Sequence, residues 1–132
     1  MSNIQQLSPT QAYEALQANP EAILLDVRDP VEYSFVGHPV GSVNIPFKIA
    51  PSMASNPDFL QQVQALVSGP DVQIYLLCRS GQRSMAAAEL LAQAGFTHLT
   101  NVEEGFEGGI DGDRHRSTMN GWRFHNLPWQ QS

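Results

Sequence analysis

Two short, uninterrupted apolar runs constrain this chain more than any other feature. "AILLDV" spans residues 22–27 and "VQIYLLC" spans residues 72–78, and both consist almost entirely of apolar side chains. Runs of this length without alternation are typical of strands that are buried on both faces. The two runs therefore predict a central sheet that is covered on both sides.

Helical patterns lie between the predicted strands. At residues 8–11, Ser8 can cap a helix, Pro9 suits its first position and Gln11 completes a capping box, with an end near residues 19–20. The other predicted helices are at 29–35, 56–69 and 84–95, and glycines (Gly69 and Gly95) end the last two. The other predicted strands are short and lie at 41–46 and 98–102. This alternation predicts an α/β domain with a mostly parallel sheet.

Composition excludes several classes of protein. The chain has 132 residues, of which 42% are hydrophobic and 15% charged, which predicts one ordered domain over residues 1–132. The net charge of −6 argues against nucleic acid as a partner, and no apolar run is long enough to span a membrane. The start lacks a secretory pattern and one cysteine cannot form an internal disulfide, so we expect a cytoplasmic protein.

The lone cysteine stands where the second buried run meets a predicted helix. Residues 78–84 read "CRSGQRS", which we call the cysteine loop. Arginines and a helix N-terminus favour the reactive thiolate, and the backbone N–H groups of such a turn can form an anion-binding nest. Gly81 allows a backbone conformation that other residues resist. The alternative is a buried structural cysteine with no chemical role.

Loop length discriminates between two reactions of a cysteine at such a turn. Cysteine phosphatases need C-x5-R, whereas four residues separate Cys78 from Arg83 here. A shorter loop forms a smaller cradle, which suits one extra sulfur atom better than a phosphate. "CRSGQRS" after a buried strand resembles the active-site loop of the rhodanese (sulfurtransferase) family. "LLDVRDPVEYSFVGHPVGSVNIP" at 24–46 and the closing segments "TNVEEGF" and "GWRFHNLPW" also resemble that family.

The resemblance implies a rhodanese-like fold with about five mostly parallel strands, helices on both faces, and a site at the cysteine loop. It implies that Cys78 takes a sulfane sulfur from thiosulfate or a persulfide donor and passes it to an external thiol or protein acceptor, without a cofactor or metal. The residues that it places around the sulfur are Arg79, Ser80, Gly81, Gln82, Arg83 and Ser84. Two alternatives remain: a sulfur-relay or interaction module without significant thiosulfate turnover, and a phosphatase or arsenate reductase on a related fold.

The chain departs from the family pattern near its end. Residues 107–132 are interpreted as a polar insertion and C-terminal tail, partly anchored by Trp122, Phe124 and Trp129. Within it, residues 109–120, the polar run, carry Arg114, His115 and Arg116. We expect the polar run to fold back beside the cysteine loop and steer anions; a plain surface loop is the alternative.

Other polar residues of the chain invite a functional interpretation. Asp26, Arg28, Glu32 and His38 match the scaffold motif of the family, so we assign them a structural role. A buried Asp at a strand end requires partners, which a nearby arginine and backbone N–H groups can supply. The alternation of Asp111, Asp113 and His115 suggests a metal site, but a solvated loop fits better because no second ligand pair has metal spacing.

Overall fold

The computed structural model describes residues 4–49 and 51–132. Residues 1–3 and 50 lie outside the described residues. All four belong to the predicted domain range, and residues 1–3 also belong to the start that lacks a secretory pattern. No helix within the described ranges is long and apolar enough to cross a membrane.

The first half of the chain supplies one long helix and most of the short strands. Its elements are β1 (Gln5–Leu7), α1 (Pro9–Ala18), β2 (Ile23–Asp26), a π-helical turn (Glu32–Val36), β3 (His38–Pro39), β4 (Val43–Asn44), β5 (Lys48–Ile49) and β6 (Ala54–Ser55). The second half supplies α2 (Phe59–Leu66), β7 (Ile74–Leu77), α3 (Gln82–Gln93), β8 (Leu99–Val102) and β9 (Trp129–Gln130).

A five-stranded sheet forms the centre of the fold, in the order β1-β8-β7-β2-β4. All four pairings are parallel, which confirms the predicted sheet. β7 lies in the middle of this sheet, with Ile74 opposite both Ile23 of β2 and Leu99 of β8. The predicted strand that ends at Cys78 is therefore the central strand, and its carboxyl end is the usual place for a ligand in such sheets.

Two apolar cores cover the two faces of the sheet. One contains Phe59 and Val63 of α2 together with Ala87 and Leu91 of α3. The other contains Ala12 of α1 together with Phe106 and Trp122, which are both fully buried. The continuous apolar runs are explained by this arrangement, because every residue of β7 is buried.

Two of the three helix ends predicted from local sequence signals agree with the structure, and one does not. The capping box between Ser8 and Gln11 is present as predicted, with Pro9 in the first turn. Gly95 follows α3 with a φ of 102°, in agreement with a glycine stop. α2 ends instead at Leu66, since the next residue, Val67, is extended, so the prediction that Gly69 ends it is wrong.

Several elements differ from the sequence-based expectation because long-range contacts create them. The short helix expected at 29–35 is a π-helical turn at Glu32–Val36. The strand β1 and the small ribbons β5–β6 and β3–β9 were not predicted, since each is defined by its partner rather than by its own pattern. In the tail, Trp122 is 1% exposed and anchors it, whereas Phe124 is 44% exposed and does not.

Candidate active site

Cys78 lies at the floor of the turn between β7 and α3. Its side chain follows the last residue of the central strand and is 1% exposed. The backbone N–H of Gly81 donates a hydrogen bond to its Sγ atom, at 3.1 Å. α3 begins at Gln82, so the unpaired N–H groups of the first helical turn also lie in this loop. The sulfur therefore faces partial positive charge from the backbone itself.

Gly81 has the left-handed conformation that the sequence analysis expected of it. Its φ is 108°, and it is the residue immediately before α3. A Cβ atom at this position would lie 2.1 Å from the carbonyl oxygen of Glu103. Because only glycine tolerates both the backbone angle and this close approach, the cysteine loop can turn tightly under the end of β8.

Ser84 connects the sulfur to a buried asparagine. The Ser84 hydroxyl lies 3.3 Å from Cys78 Sγ and 2.5 Å from Asn101 Oδ1. Asn101 is 4% exposed, and its amide donates to the Gly81 carbonyl and to Gln6 Oε1, which turns its own oxygen toward Ser84. One hydroxyl proton thus has two acceptors in reach: the amide oxygen and the sulfur.

Arg83 is held by a carboxylate from the π-helical turn. Its two terminal nitrogens donate to the two oxygens of Glu32 at 2.8 and 3.0 Å, the geometry of a bidentate pair. Burial alone would raise the pKa of Glu32, but the hydrogen bonds and charge of Arg83 outweigh it and hold that pKa below its ordinary value. Glu32 is therefore ionised at neutral pH and neutralises Arg83.

Arg79 also has a carboxylate partner. Its Nε atom lies 3.3 Å from Glu107 Oε2, with the Arg79 side chain 47% exposed and that of Glu107 9% exposed. The terminal guanidinium nitrogen of Arg123 lies 4.0 Å from the other Glu107 oxygen. Of the remaining loop residues, Ser80 is half-buried, and Gln82 is exposed at the first position of α3.

The segment after β8 is bonded to the back of the cysteine loop. The N–H of Phe106 donates to the Cys78 carbonyl, and the N–H groups of Glu107 and Gly108 donate to the Arg79 carbonyl. A Cβ at Gly105 would lie 2.6 Å from the Cys78 and Arg79 carbonyl oxygens. This close approach explains the glycine in "EEGF" and fixes the loop from a second side.

The scaffold residues behave largely as predicted. Asp26 and Arg28 are fully buried and form a bidentate pair, and the Arg28 N–H also donates to the Asp26 carboxylate. His38 stacks on Tyr33 at 3.8 Å and bonds its carbonyl. Glu32 differs: its partner is Arg83 of the cysteine loop, a contact that the scaffold interpretation did not include.

The polar run forms a turn around Asp111. The Asp111 carboxylate accepts hydrogen bonds from the N–H groups of Asp113 and His115 and from the Thr118 hydroxyl. These bonds hold the pKa of Asp111 below its ordinary value, led by the bond from Thr118. Among the described residues no group of three His, Cys, Asp or Glu side chains is arranged to hold a metal. The Asp111 carboxylate therefore stabilises the conformation of the polar run.

The three basic residues of the polar run lie in different surroundings. Arg116 donates to the Gly108 carbonyl, next to the segment that contacts the cysteine loop. Arg114 and His115 are exposed, and their backbone N–H groups bond to Asp111. The run therefore begins beside the cysteine loop, and one of its three basic side chains is taken up in anchoring it.

Sequence reasoning missed the residues that support the cysteine loop from other elements. Asn101 belongs to β8, and Gly105 and Glu107 follow it; they contact the loop from 17 (Asn101 to Ser84) to 28 (Glu107 to Arg79) positions away in the sequence. The sequence did contain a signal for these contacts: it predicts that β7 and β8 are parallel strands, and the carboxyl ends of neighbouring parallel strands meet at one edge of the sheet. The identity of the contacts required the register of the two strands.

Comparison with known proteins now places the chain in a family. The family model described as a Rhodanese-like domain matches residues 8–111, so the chain belongs to the rhodanese-like family. This confirms the resemblance found in the three motifs and the fold that it implied.

Individual relatives agree with this assignment. The crystal structure of Rv0390 from M. tuberculosis is 37% identical, covers 99% of this chain and 100% of its own, and superposes with a TM-score of 0.90. Thiosulfate sulfurtransferase 16 of Arabidopsis thaliana is 39% identical over 76% of this chain and 82% of its own length. The polysulfide-sulfur transferase homodimer of Wolinella succinogenes is 26% identical over 98% of this chain and 80% of its own, with a TM-score of 0.68. The family thus includes sulfurtransferases.

Proposed function

We propose that this protein is a sulfurtransferase that carries a sulfane sulfur on Cys78. The donor is thiosulfate or a persulfide, and the acceptor is an external thiol or protein thiolate. The observation that carries the proposal is the position of the Cys78 sulfur, 3.1 Å from the Gly81 N–H and at the start of α3. Relatives named as thiosulfate and polysulfide-sulfur transferases support the same chemistry.

The first half-reaction forms one S–S bond and breaks another. The Cys78 thiolate attacks the outer sulfur of the donor, a bond forms between Sγ and that sulfur, and the donor's own S–S bond breaks. The bonding electron pair leaves with sulfite when thiosulfate is the donor, or with a thiolate when a persulfide is the donor. The Gly81 N–H and the first turn of α3 stabilise the negative charge that is left on the bound sulfur.

The second half-reaction needs a partner from outside. A nucleophilic acceptor attacks the terminal sulfur of the Cys78 persulfide, and the S–S bond breaks with its electron pair returning to Cys78. Since the chain has a single cysteine, no second thiol of its own can take the sulfur. In this proposal donor and acceptor both approach the cysteine loop, where Arg79, Ser80, Gln82, Arg83 and Ser84 contact them.

A sulfur-relay module is the second candidate, favoured by the burial of Cys78, which is 1% exposed. A relay exchanges its persulfide rapidly with one cognate protein and turns over thiosulfate slowly. Rapid turnover of thiosulfate with cyanide as acceptor distinguishes the enzyme from the relay.

Intact-protein mass spectrometry tests the proposal directly. After incubation with thiosulfate or with cysteine persulfide, we expect the mass to increase by one sulfur atom and to return when cyanide is added. Cys78→Ser, a nearly isosteric change, should fold normally and gain no mass. A persistent mass gain in that variant, or no gain in the wild type with either donor, would contradict the proposal.

A further inference from the structure

The side chain of Asn101 has its orientation fixed by two acceptors. Its amide group lies 3.2 Å from the Gly81 carbonyl oxygen and 3.0 Å from Gln6 Oε1. A backbone carbonyl can only accept a hydrogen bond, so the group that faces Gly81 is the NH2 group and Oδ1 points toward Ser84. Because Asn101 is 4% exposed, that oxygen depends on a donor from the protein.

Ser84 is this donor, and it also lies beside the sulfur. Its hydroxyl oxygen is 2.5 Å from Asn101 Oδ1 and 3.3 Å from Cys78 Sγ, and the residue is fully buried. A hydroxyl has one hydrogen, so at any moment it donates either to the amide oxygen or to the sulfur. The shorter contact assigns the hydrogen to Asn101 and directs it away from Cys78.

The charge on the sulfur decides which of the two acceptors Ser84 serves. A thiolate accepts strongly, whereas in a persulfide the negative charge lies on the terminal sulfur and the inner Sγ atom is a weak acceptor. When Sγ is charged, the Ser84 hydroxyl turns toward it and the buried Asn101 oxygen loses its donor, which costs free energy. When Sγ is neutral, the hydroxyl stays on Asn101 and nothing is lost.

We infer that Asn101 is a positioning residue that favours the sulfur-loaded state of Cys78, because it competes with the free thiolate for the Ser84 hydroxyl. The inference rests on the proposed function and deepens it, since it names a residue outside the cysteine loop that determines how firmly the sulfur is held. A firmly held sulfur suits this chain, whose acceptor must come from outside: the persulfide stays on Cys78 until the acceptor arrives.

A reversible sulfur exchange measures this preference, and it balances without a co-reactant. The Cys78 thiolate attacks the outer sulfur of thiosulfate, the bond from Sγ to that sulfur forms, and the S–S bond of thiosulfate breaks with its electron pair leaving on sulfite. In the reverse direction sulfite attacks the terminal sulfur and the pair returns to Sγ. With cysteine persulfide as donor, the thiolate of cysteine takes the place of sulfite.

Removal of the competing acceptor tests the inference. We measure the loaded fraction of the protein by intact mass at several fixed ratios of thiosulfate to sulfite, or of cysteine persulfide to cysteine if only that pair loads the wild type. Asn101→Ala frees the Ser84 hydroxyl for the thiolate and should lower the equilibrium constant for loading about three- to tenfold. Ser84→Ala takes the donor away from the thiolate and should not lower that constant.

The double variant Ser84→Ala/Asn101→Ala separates this role from support of the Gly81 carbonyl. With no hydroxyl left to compete for, Asn101→Ala should have no further effect on the equilibrium constant. An equal drop in the Ser84→Ala background would mean that Asn101 acts through Gly81, and the inference would be overturned. Rates give a second readout, because Asn101→Ala should slow loading and speed the discharge of the persulfide to cyanide, whereas a loosened loop slows both.

Asn44 provides a matched control at the end of another strand of the same sheet. Its amide also donates to two carbonyl oxygens, those of Asp26 and Arg28, so Asn44→Ala removes similar bonds and should leave the loading constant unchanged. Gln6→Leu, at an exposed position, releases one of the two acceptors that orient Asn101 and should lower the constant about twofold. This variant serves as the test if Asn101→Ala does not fold.

The outcomes also distinguish the inference from the proposed function. If no donor loads the wild-type cysteine, the proposed function fails and the inference falls with it. If the wild type is loaded but Asn101→Ala leaves the loading constant unchanged or raises it, the proposed function stands and the inference is wrong.

Discussion

The cysteine loop and the polar run are both short connections rich in glycine and polar side chains, yet they are held in opposite ways. Residues 78–84 are fixed by partners far away in sequence: Asn101, Glu32 and the N–H groups of 106–108. Residues 109–120 are organised largely from within, by the Asp111 carboxylate and its three nearby donors. Both are loops, but only the first is defined by the sheet.

The difference in support decides how precisely each region is positioned and how well it tolerates substitution. A group that must place a sulfur atom within hydrogen-bonding distance of one N–H needs supports from several elements, so that no single fluctuation displaces it. A self-contained turn needs only its own residues, and changes within it remain local. Equivalent substitutions in the two regions should therefore have very different consequences.

The largest contrast is expected between two glycines. Gly81→Ala places a Cβ 2.1 Å from the Glu103 carbonyl at a φ of 108°, so we expect a loss of at least about 2 kcal/mol in the free energy of unfolding and little sulfur loading. Gly112→Ala meets no atom within 4 Å and should change stability by less than about 0.5 kcal/mol. Urea denaturation measures both. Equal losses in the two variants would remove the distinction between the regions.

A pair of asparagines gives an intermediate contrast. Asn101→Ala removes the partner of the Gly81 carbonyl and of the Ser84 hydroxyl, both buried, and should cost about 1–3 kcal/mol of stability and slow sulfur loading. Asn120→Ala removes one hydrogen bond, to the Gly109 N–H, and should lower stability slightly without altering the loading rate.

Ser84→Ala shows whether Asn101 acts through the hydroxyl. If it does, the double variant Ser84→Ala/Asn101→Ala should load sulfur no more slowly than the slower single variant. Additive effects on the loading rate would mean that Asn101 acts through the Gly81 carbonyl instead.

The smallest contrast between the two regions is expected in the pH dependence of stability at acid pH. The pKa values of Glu32 and Asp111 are both held below their ordinary values of 4.5 and 3.8. Each carboxylate therefore stabilises the protein above its ordinary pKa, and that contribution is lost as pH falls through its lower folded-state value. The stability difference between wild type and Glu32→Gln should shrink as pH drops below 4.5.

Asp111→Asn should behave in the same direction with a smaller difference that begins to shrink only below 3.8, because the partners of Asp111 are neutral N–H and O–H groups and not an arginine. Chemical denaturation at a series of pH values measures both variants. A difference for either variant that grows as the solution becomes more acidic would contradict the assigned direction of its pKa.

Local chemistry allowed much of the fold to be predicted from the sequence. The capping box at Ser8, the stop at Gly95 and the apolar runs of β2 and β7 depend on contacts between near neighbours or on burial alone. The position of Cys78 at the carboxyl end of a buried strand follows from the same pattern. The strand β1 could not be predicted, because its three residues are strand only by virtue of pairing with β8.

The sequence by itself determined the class of fold and the place of the cysteine, because both follow from the order of apolar runs and helix signals along the chain. Only the tertiary structure decided the electrostatics around the sulfur. Glu32 reaches Arg83 across 51 positions, and Glu107 reaches Arg79 from beyond the end of β8. The sequence displays two arginines beside a cysteine; the register of the parallel strands brings a carboxylate to each of them, because charge pairs form through space and not along the chain.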